Sequence, residues 1–413
     1  MKRNYYIVAL IMLTFFVISF ITNIFGPLTP DMKEGFNLNL KMVAFLYFAF
    51  FIAYGVMSIP AGMLVEKYNE KKMMTVAFVV AFAGSLLFAV YPNYAMALPS
   101  LFIIGFGFAI LQVVINPLLR TAGGEEHYAF NSVLAQLIFG GASFLSPLVY
   151  EYMVGNLGKS GSPLSFFHSI VPEHLPWISL YWLFAAICLL MVIVIVVSKF
   201  PKVELKDEEK AGALATHVML FKKRVVILFF LGIVCYVGTE QGTANNISQF
   251  LSIYHGYNPD TTGAHVVAYF WGLMTAGGVL GLLLLKIMDS RKVLIIFTAL
   301  ALVCLSAALF GSARVSLFAF PAVGFFASVM YPIIFSLALN SISEHHGSFA
   351  GILCTGIIGG AIVPLIIGWF GDVLGLRTGM LFLYLSMGYI LLIGFWAKPI
   401  ISNKTIFEKR EMT

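Results

Sequence analysis

Twelve apolar runs of roughly twenty residues or more, separated by short polar stretches, limit what this chain can fold into more than any other feature of it. They lie near residues 5–28, 42–65, 73–91, 96–119, 130–153, 177–198, 225–253, 264–287, 292–311, 315–339, 348–370 and 377–397. A helix rises 1.5 Å per residue, so about 20 apolar residues cross a hydrocarbon layer of about 30 Å. Membrane-spanning strands need only about 9–11 residues, with alternating polarity. These runs are about twice that length and do not alternate. The pattern predicts an all-α integral membrane protein of about twelve transmembrane helices. Charge agrees: 11% of residues are charged, against about 25% in soluble chains. The first run, Tyr5 to Phe25, is long for a signal-peptide core and is expected to stay as the first helix.

Basic residues orient the spans. With the N-terminus inside, 20 of the 25 Lys and Arg fall on the cytoplasmic side and 5 outside. Positive loops favour the cytoplasm, so both termini are expected there, in a multi-pass protein of the cytoplasmic (inner) membrane. The longest charged stretch, from Lys199 to Lys223, lies between the sixth and seventh spans. It divides the chain into a six-helix bundle at 1–198, a cytoplasmic linker at 199–223, a second bundle at 224–398 and a tail at 399–413. The loops after the second and eighth spans both read glycine, acid, then a basic pair. Such duplication implies pseudo-symmetric halves with a site at mid-membrane between them.

An ionisable side chain in the membrane core costs about 2.5–3.5 kcal/mol on insertion scales and is a functional candidate by default. Of the 19 acids, only Glu240 sits deep within a span, amid Thr239, Gln241, Thr243, Asn245 and Asn246. Such a segment cannot face lipid. Burial disfavours the charged form of a carboxyl group, so Glu240 is the candidate for coupling to a cation. Ionised and joined by amide oxygens, it would also suit sodium. The alternative is a structural acid bonded between helices. Gln112 and Asn116 stand one turn apart in the fourth span, Asn131 and Gln136 lie in the fifth, and Asn23 in the first. Amides offer both a donor and an acceptor to paired hydroxyls. With Gln241, Asn245 and Asn246, they are the candidate contacts for a neutral polyhydroxylated solute, interhelical bonding being the alternative. Tyr331 and Trp271 are candidate stacking surfaces for a sugar ring.

No phosphate loop, nucleophile elbow or zinc spacing is present, and no segment is long enough for a nucleotide-hydrolysing domain. An enzyme, a metal centre, a cofactor and a nucleic-acid partner are therefore not expected. The four cysteines all lie in apolar segments and read as small buried hydrophobes.

The loop Gly62 to Lys72, with Gly62, Leu64, Glu66, Lys67, Lys71 and Lys72 in place and Asn69 where glycine is usual, resembles the conformational-gating motif of the major facilitator superfamily. Stretches in both halves resemble the fucose–galactose–glucose:proton symporter group within it. They include Ile59-Pro60-Ala61-Gly62, Asn116-Pro117, Leu134-Ala135-Gln136, Tyr236-Val237-Gly238-Thr239-Glu240, Tyr331-Pro332 and Gly359-Gly360-Ala361. The resemblance implies two rocking bundles, a sugar as solute, and Gln136 and Tyr331 as sugar-binding positions. Fucose permeases carry acids in the first and fourth helices, where register puts Gly26 and Gln112 here. The acid has moved to the seventh span, as in the glucose/galactose and amino-sugar branches. The expectation is a monomeric, cation-coupled sugar symporter in the lipid bilayer, driven by protons or sodium. A uniporter, an exporter of amphipathic compounds and a non-transporting receptor are the alternatives.

Overall fold

Twelve helices cross the molecule in the computed structural model, which describes residues 4–123, 128–157, 169–200, 214–342 and 345–400. In chain order they are α1 (Tyr5–Gly35), α2 (Leu40–Val65), α3 (Glu70–Val90), α4 (Tyr94–Ile115), α5 (Leu134–Asn156) and α6 (Pro176–Val197). The second set is α7 (Arg224–Ala244), α8 (Pro259–Leu285), α9 (Ser290–Phe310), α10 (Ala313–Leu339), α11 (Ser348–Leu374) and α12 (Leu376–Trp396). Each is long and apolar enough to span a bilayer, so the chain is a multi-pass membrane protein. Many large side chains are exposed on the outer faces, among them Leu190, Val197, Phe318 and Leu385. In water that surface would drive aggregation, whereas lipid tails cover it at no cost.

Buried apolar side chains gather into two cores. One runs from Ile7 to Ile195 and the other from Leu220 to Ala397, with few members crossing over. These are the two six-helix bundles. Between them a short helix occupies Leu214–Phe221, within the stretch expected as a linker. Residues 201–213 and the tail from 401 lie outside the described residues.

The first helix of each bundle is broken at an asparagine. In α1, regular helix ends at Thr22, Asn23 caps it, and helix resumes at Phe25. Beyond α7, Asn245 caps the helix and a second one begins at Ile247. The seventh apolar run is therefore two helices, Arg224–Ala244 and Ile247–His255, where a single span was expected. A break frees backbone groups, which at membrane depth must be met by protein. Here the Thr29 hydroxyl donates to the Asn245 carbonyl at 2.9 Å, tying the two broken helices together.

Candidate functional site

A cavity of about 470 Å³ lies between the bundles. From the N-terminal bundle, Asn23, Tyr54, Gln112, Gln136 and Ser143 reach its wall. From the C-terminal bundle come Tyr236, Glu240, Gln241, Trp271, Thr275 and Tyr331. Both halves thus contribute polar atoms to one volume that suits a small solute.

Glu240 faces this cavity from α7. One turn earlier on the same helix, the Tyr236 hydroxyl donates to Glu240 Oε1 at 2.8 Å. The Tyr236 ring packs against that of Tyr331 from α10, with centroids 5.7 Å apart. Among the described residues no basic side chain pairs with Glu240. Its surroundings supply a phenol and an amide, not a counter-ion, so its charge is left to solvent, solute or a proton.

On the opposite wall the Asn23 amide donates to Ser143 Oγ at 2.8 Å, and Ser143 is joined to Ser19 at 2.6 Å. The Gln241 amide reaches Asn23 Oδ1 at 3.5 Å, a long contact across the two bundles. Trp271 is buried, and its indole N–H has no acceptor among the described residues. Buried donors are normally paired, so this one, in the cavity wall, is placed to bond something that enters.

Seven of the residues singled out in the sequence therefore share one volume: Asn23, Gln112, Gln136, Glu240, Gln241, Trp271 and Tyr331. Asn131 is buried within its bundle and is not among the lining residues. Nor are Asn245 and Asn246, which stand at the helix break. There the Asn246 amide donates to the Gly242 carbonyl at 2.8 Å and the Asn245 amide to Gln241 Oε1 at 3.4 Å. The side chains of Asn116, Glu66 and Lys67 lie outside what is described. Tyr54, Ser143, Tyr236 and Thr275 line the cavity and were not singled out as site residues. In an apolar run, a hydroxyl on a helix face reads as core, and only the neighbouring helix reveals what it faces.

The loop motif after α2 has a local explanation. Asn69 has φ +69°, in the left-handed region that favours glycine, and its side chain accepts from the Lys72 amide to start α3. Lys71 donates to the Val196 and Ser198 carbonyls at 2.8 and 2.7 Å, capping the end of α6 in its own bundle. Gly62 lies within the helix Leu40–Tyr68 that leads into this loop.

Gly26 accounts for the missing acid of the first helix. A side chain there would meet the Ala244 carbonyl at 2.8 Å and Val267 at 3.0 Å. Close approach of α1 to the end of α7 thus occupies the space a carboxylate would need.

A second set of contacts joins the bundles at the end away from the chain termini. The ends of odd helices and the starts of even ones lie there. Asp372, at the end of α11, accepts from the Leu40 and Lys41 amides at the start of α2, both at 2.7 Å. Glu151, at the end of α5, pairs with His265 of α8 at 2.8 Å. Tyr150 bonds both Asp31 of α1 and Asp260 of α8. This end is closed, and the cavity lies on the terminus side of the closure, reaching Leu282 and Leu285 in the last turn of α8.

The family model of the Major Facilitator Superfamily matches residues 11–357. A glucose/galactose transporter of Brucella abortus is 31% identical over 399 residues, covering 95% of this chain and 94% of the relative. The L-fucose-proton symporter of Escherichia coli is 27% identical over 395 residues, covering 91% and 89% of the two chains. The crystal structure of a major facilitator transporter, FucP, in the outward conformation superposes with a TM-score of 0.68 at 25% identity, covering 95% of this chain and 98% of that one.

Proposed function

Given that the chain belongs to the Major Facilitator Superfamily, whose members are transporters and not enzymes, we propose that it carries a neutral sugar inward together with a proton by alternating access. The observation that carries this reading is Glu240, a carboxylate facing the inter-bundle cavity with no basic partner among the described residues. Moving an unpaired carboxylate through a dry intermediate is unfavourable. A proton taken up at Glu240 removes the charge, so reorientation becomes tied to the proton gradient. The amides of Asn23, Gln112, Gln136 and Gln241 and the indole of Trp271 supply hydrogen bonds to sugar hydroxyls, with the Tyr331 ring as an apolar wall. The relatives' names, glucose/galactose transporter and L-fucose-proton symporter, supply the sugar and the proton.

In this reading the membrane is the cytoplasmic one and both termini are cytoplasmic, in line with the 20-to-5 division of basic residues. The closed end then faces outward, the cavity opens inward, and the protein works as a monomer. No cofactor takes part.

Proteoliposomes offered a panel of hexoses and deoxyhexoses, with imposed proton or sodium gradients, test the proposal. Accumulation of at least one sugar against its gradient, driven by an inward proton gradient, is expected. Sugar flux indifferent to both gradients would make the protein a uniporter. Accumulation driven by sodium alone would sink the proton assignment.

A further inference from the structure

The closure at the outer end contains one arrangement that the transport reading does not use. The Tyr150 hydroxyl, on a fully buried side chain of α5, lies 2.9 Å from Asp31 Oδ2 of α1 and 2.9 Å from Asp260 Oδ1 at the start of α8. Asp31 and Tyr150 belong to one bundle and Asp260 to the other, so the phenol bridges the gap that must open in the outward-facing form.

Counting hydrogens decides what this bridge requires. A phenol has one hydrogen to donate, and an ionised carboxylate can only accept. With both aspartates ionised, one of them would face the phenol oxygen lone pair to lone pair, and two like charges would share one partly buried site. With one added proton both contacts are satisfied: one carboxyl group donates to the phenol oxygen, and the phenol donates to the other carboxylate. We propose that Asp31, Tyr150 and Asp260 form a proton-dependent latch that holds the outer end closed when the three share one extra proton.

Among the described residues no cation pairs with these carboxylates in place of that proton. The described charges acting on Asp31 are those of Asp260 and Glu34, both acidic. Element by element, the outer part of α1 adds Lys33, two residues along the helix. The facing helix α2 brings Lys41, whose backbone amide is bonded to Asp372, and Tyr47, which is bonded to Thr29. From α5 comes Glu151, paired with His265 of α8, on which Tyr269 stacks. The helix Ile247–His255 brings Tyr254, whose hydroxyl accepts from the Arg377 amide, and His255, which is bonded to Ser316 of α10. Its turn into α8 adds Tyr257.

The latch rests on the alternating-access reading, but it differs from Glu240 in what the proton does. It enters from the outside and returns there when the gap reopens. The latch therefore senses outside pH without moving charge across the membrane. Closing binds a proton, so acid favours the closed form and alkali the open one. A one-proton linkage changes the closed-to-open ratio by at most about tenfold per pH unit.

The test reads distance, not flux. Bio-orthogonal spin labels at Ala95 and Ser312, one at the outer end of each bundle, report the opening by pulsed electron resonance in nanodiscs. The Glu240→Gln background removes the mid-membrane carboxyl from the titration. Across roughly pH 5 to 9 the closed population is expected to rise as pH falls. Asp260→Asn and Asp31→Asn each mimic the protonated carboxyl, since the amide can donate to the phenol oxygen. Either is expected to raise the closed fraction at high pH to the low-pH level of the parent. Tyr150→Phe removes the bridge and is expected to lower the closed fraction at low pH. The Glu151–His265 pair is intact in all three variants, so differences between their profiles and the parent's report on the Asp31–Tyr150–Asp260 bridge. Profiles of both Asn variants that superimpose on the parent's would overturn the latch. A single distance under every condition would remove alternating access, and the latch with it.

Discussion

Gly26 and Trp271 show how much one position can hold that the sequence does not spell out. At Gly26 the space for a side chain is taken by the Ala244 carbonyl and Val267. Gly26→Ala is expected to cost about 1–3 kcal/mol by overpacking, seen as a lower unfolding temperature in detergent. An unchanged temperature would mean the two helices can part there freely. The sequence marks Trp271 as a stacking surface, yet among the described residues its indole N–H is an unpartnered polar atom of the cavity wall, as is the Thr22 hydroxyl. Trp271→Phe keeps an aromatic ring and removes the donor. A hydrogen bond worth about 0.5–1.5 kcal/mol predicts a KM for sugar raised roughly two- to tenfold, with little change in kcat. A loss confined to kcat would argue that the ring positions a helix instead. Both residues were visible in the sequence; what each one faces was not.

Among the elements, the helix ends carry the information that hydropathy leaves out. Apolar length marked twelve spans, but it passed over the breaks at Asn23 and Asn245, because a run stays apolar whether or not its backbone is continuous. It also gave no hint that α2 begins against a carboxylate from the other bundle. The first amides of a helix lack partners within it, and Asp372 satisfies two of them at Leu40 and Lys41. Removing a side-chain cap costs about 1 kcal/mol. Asp372→Ala is therefore expected to speed hydrogen exchange at those two amides roughly fivefold while sparing the middle of α2, as followed by mass spectrometry. Equal exchange in both proteins would show that the cap contributes nothing. By contrast, Lys71 could be placed in its loop motif from sequence, but its acceptors, the last carbonyls of α6, come from a helix over a hundred residues later.

For the whole molecule, the question is what the proposed rocking of the two bundles would do with Glu240, which has no basic partner among the described residues, between them. A carrier that must be neutral to reorient empty, but can also reorient loaded, separates net accumulation from exchange. Glu240→Gln is permanently neutral. It is expected to lose proton-driven accumulation, with a final sugar ratio near one across the membrane, while retaining counterflow of labelled sugar. Full gradient-driven accumulation in this variant would place the coupling elsewhere. In the proposed cycle, the closed end away from the termini and the cavity beneath it correspond to one station. The proposed outward-facing station would have to break the Asp372, Glu151 and Tyr150 contacts together, since all three join the same two bodies.

Read alone, the amino-acid sequence determined the helical membrane class, the count of spans and the oddity of Glu240. Those follow from transfer free energies, which act residue by residue and need no knowledge of neighbours. Only the tertiary structure decided which amides share a cavity with Glu240, why Gly26 has no side chain, and how Asp31, Tyr150 and Asp260 meet. These depend on the approach of helices from opposite bundles, where a single ångström separates a hydrogen bond from a clash, and hydropathy carries no record of such distances.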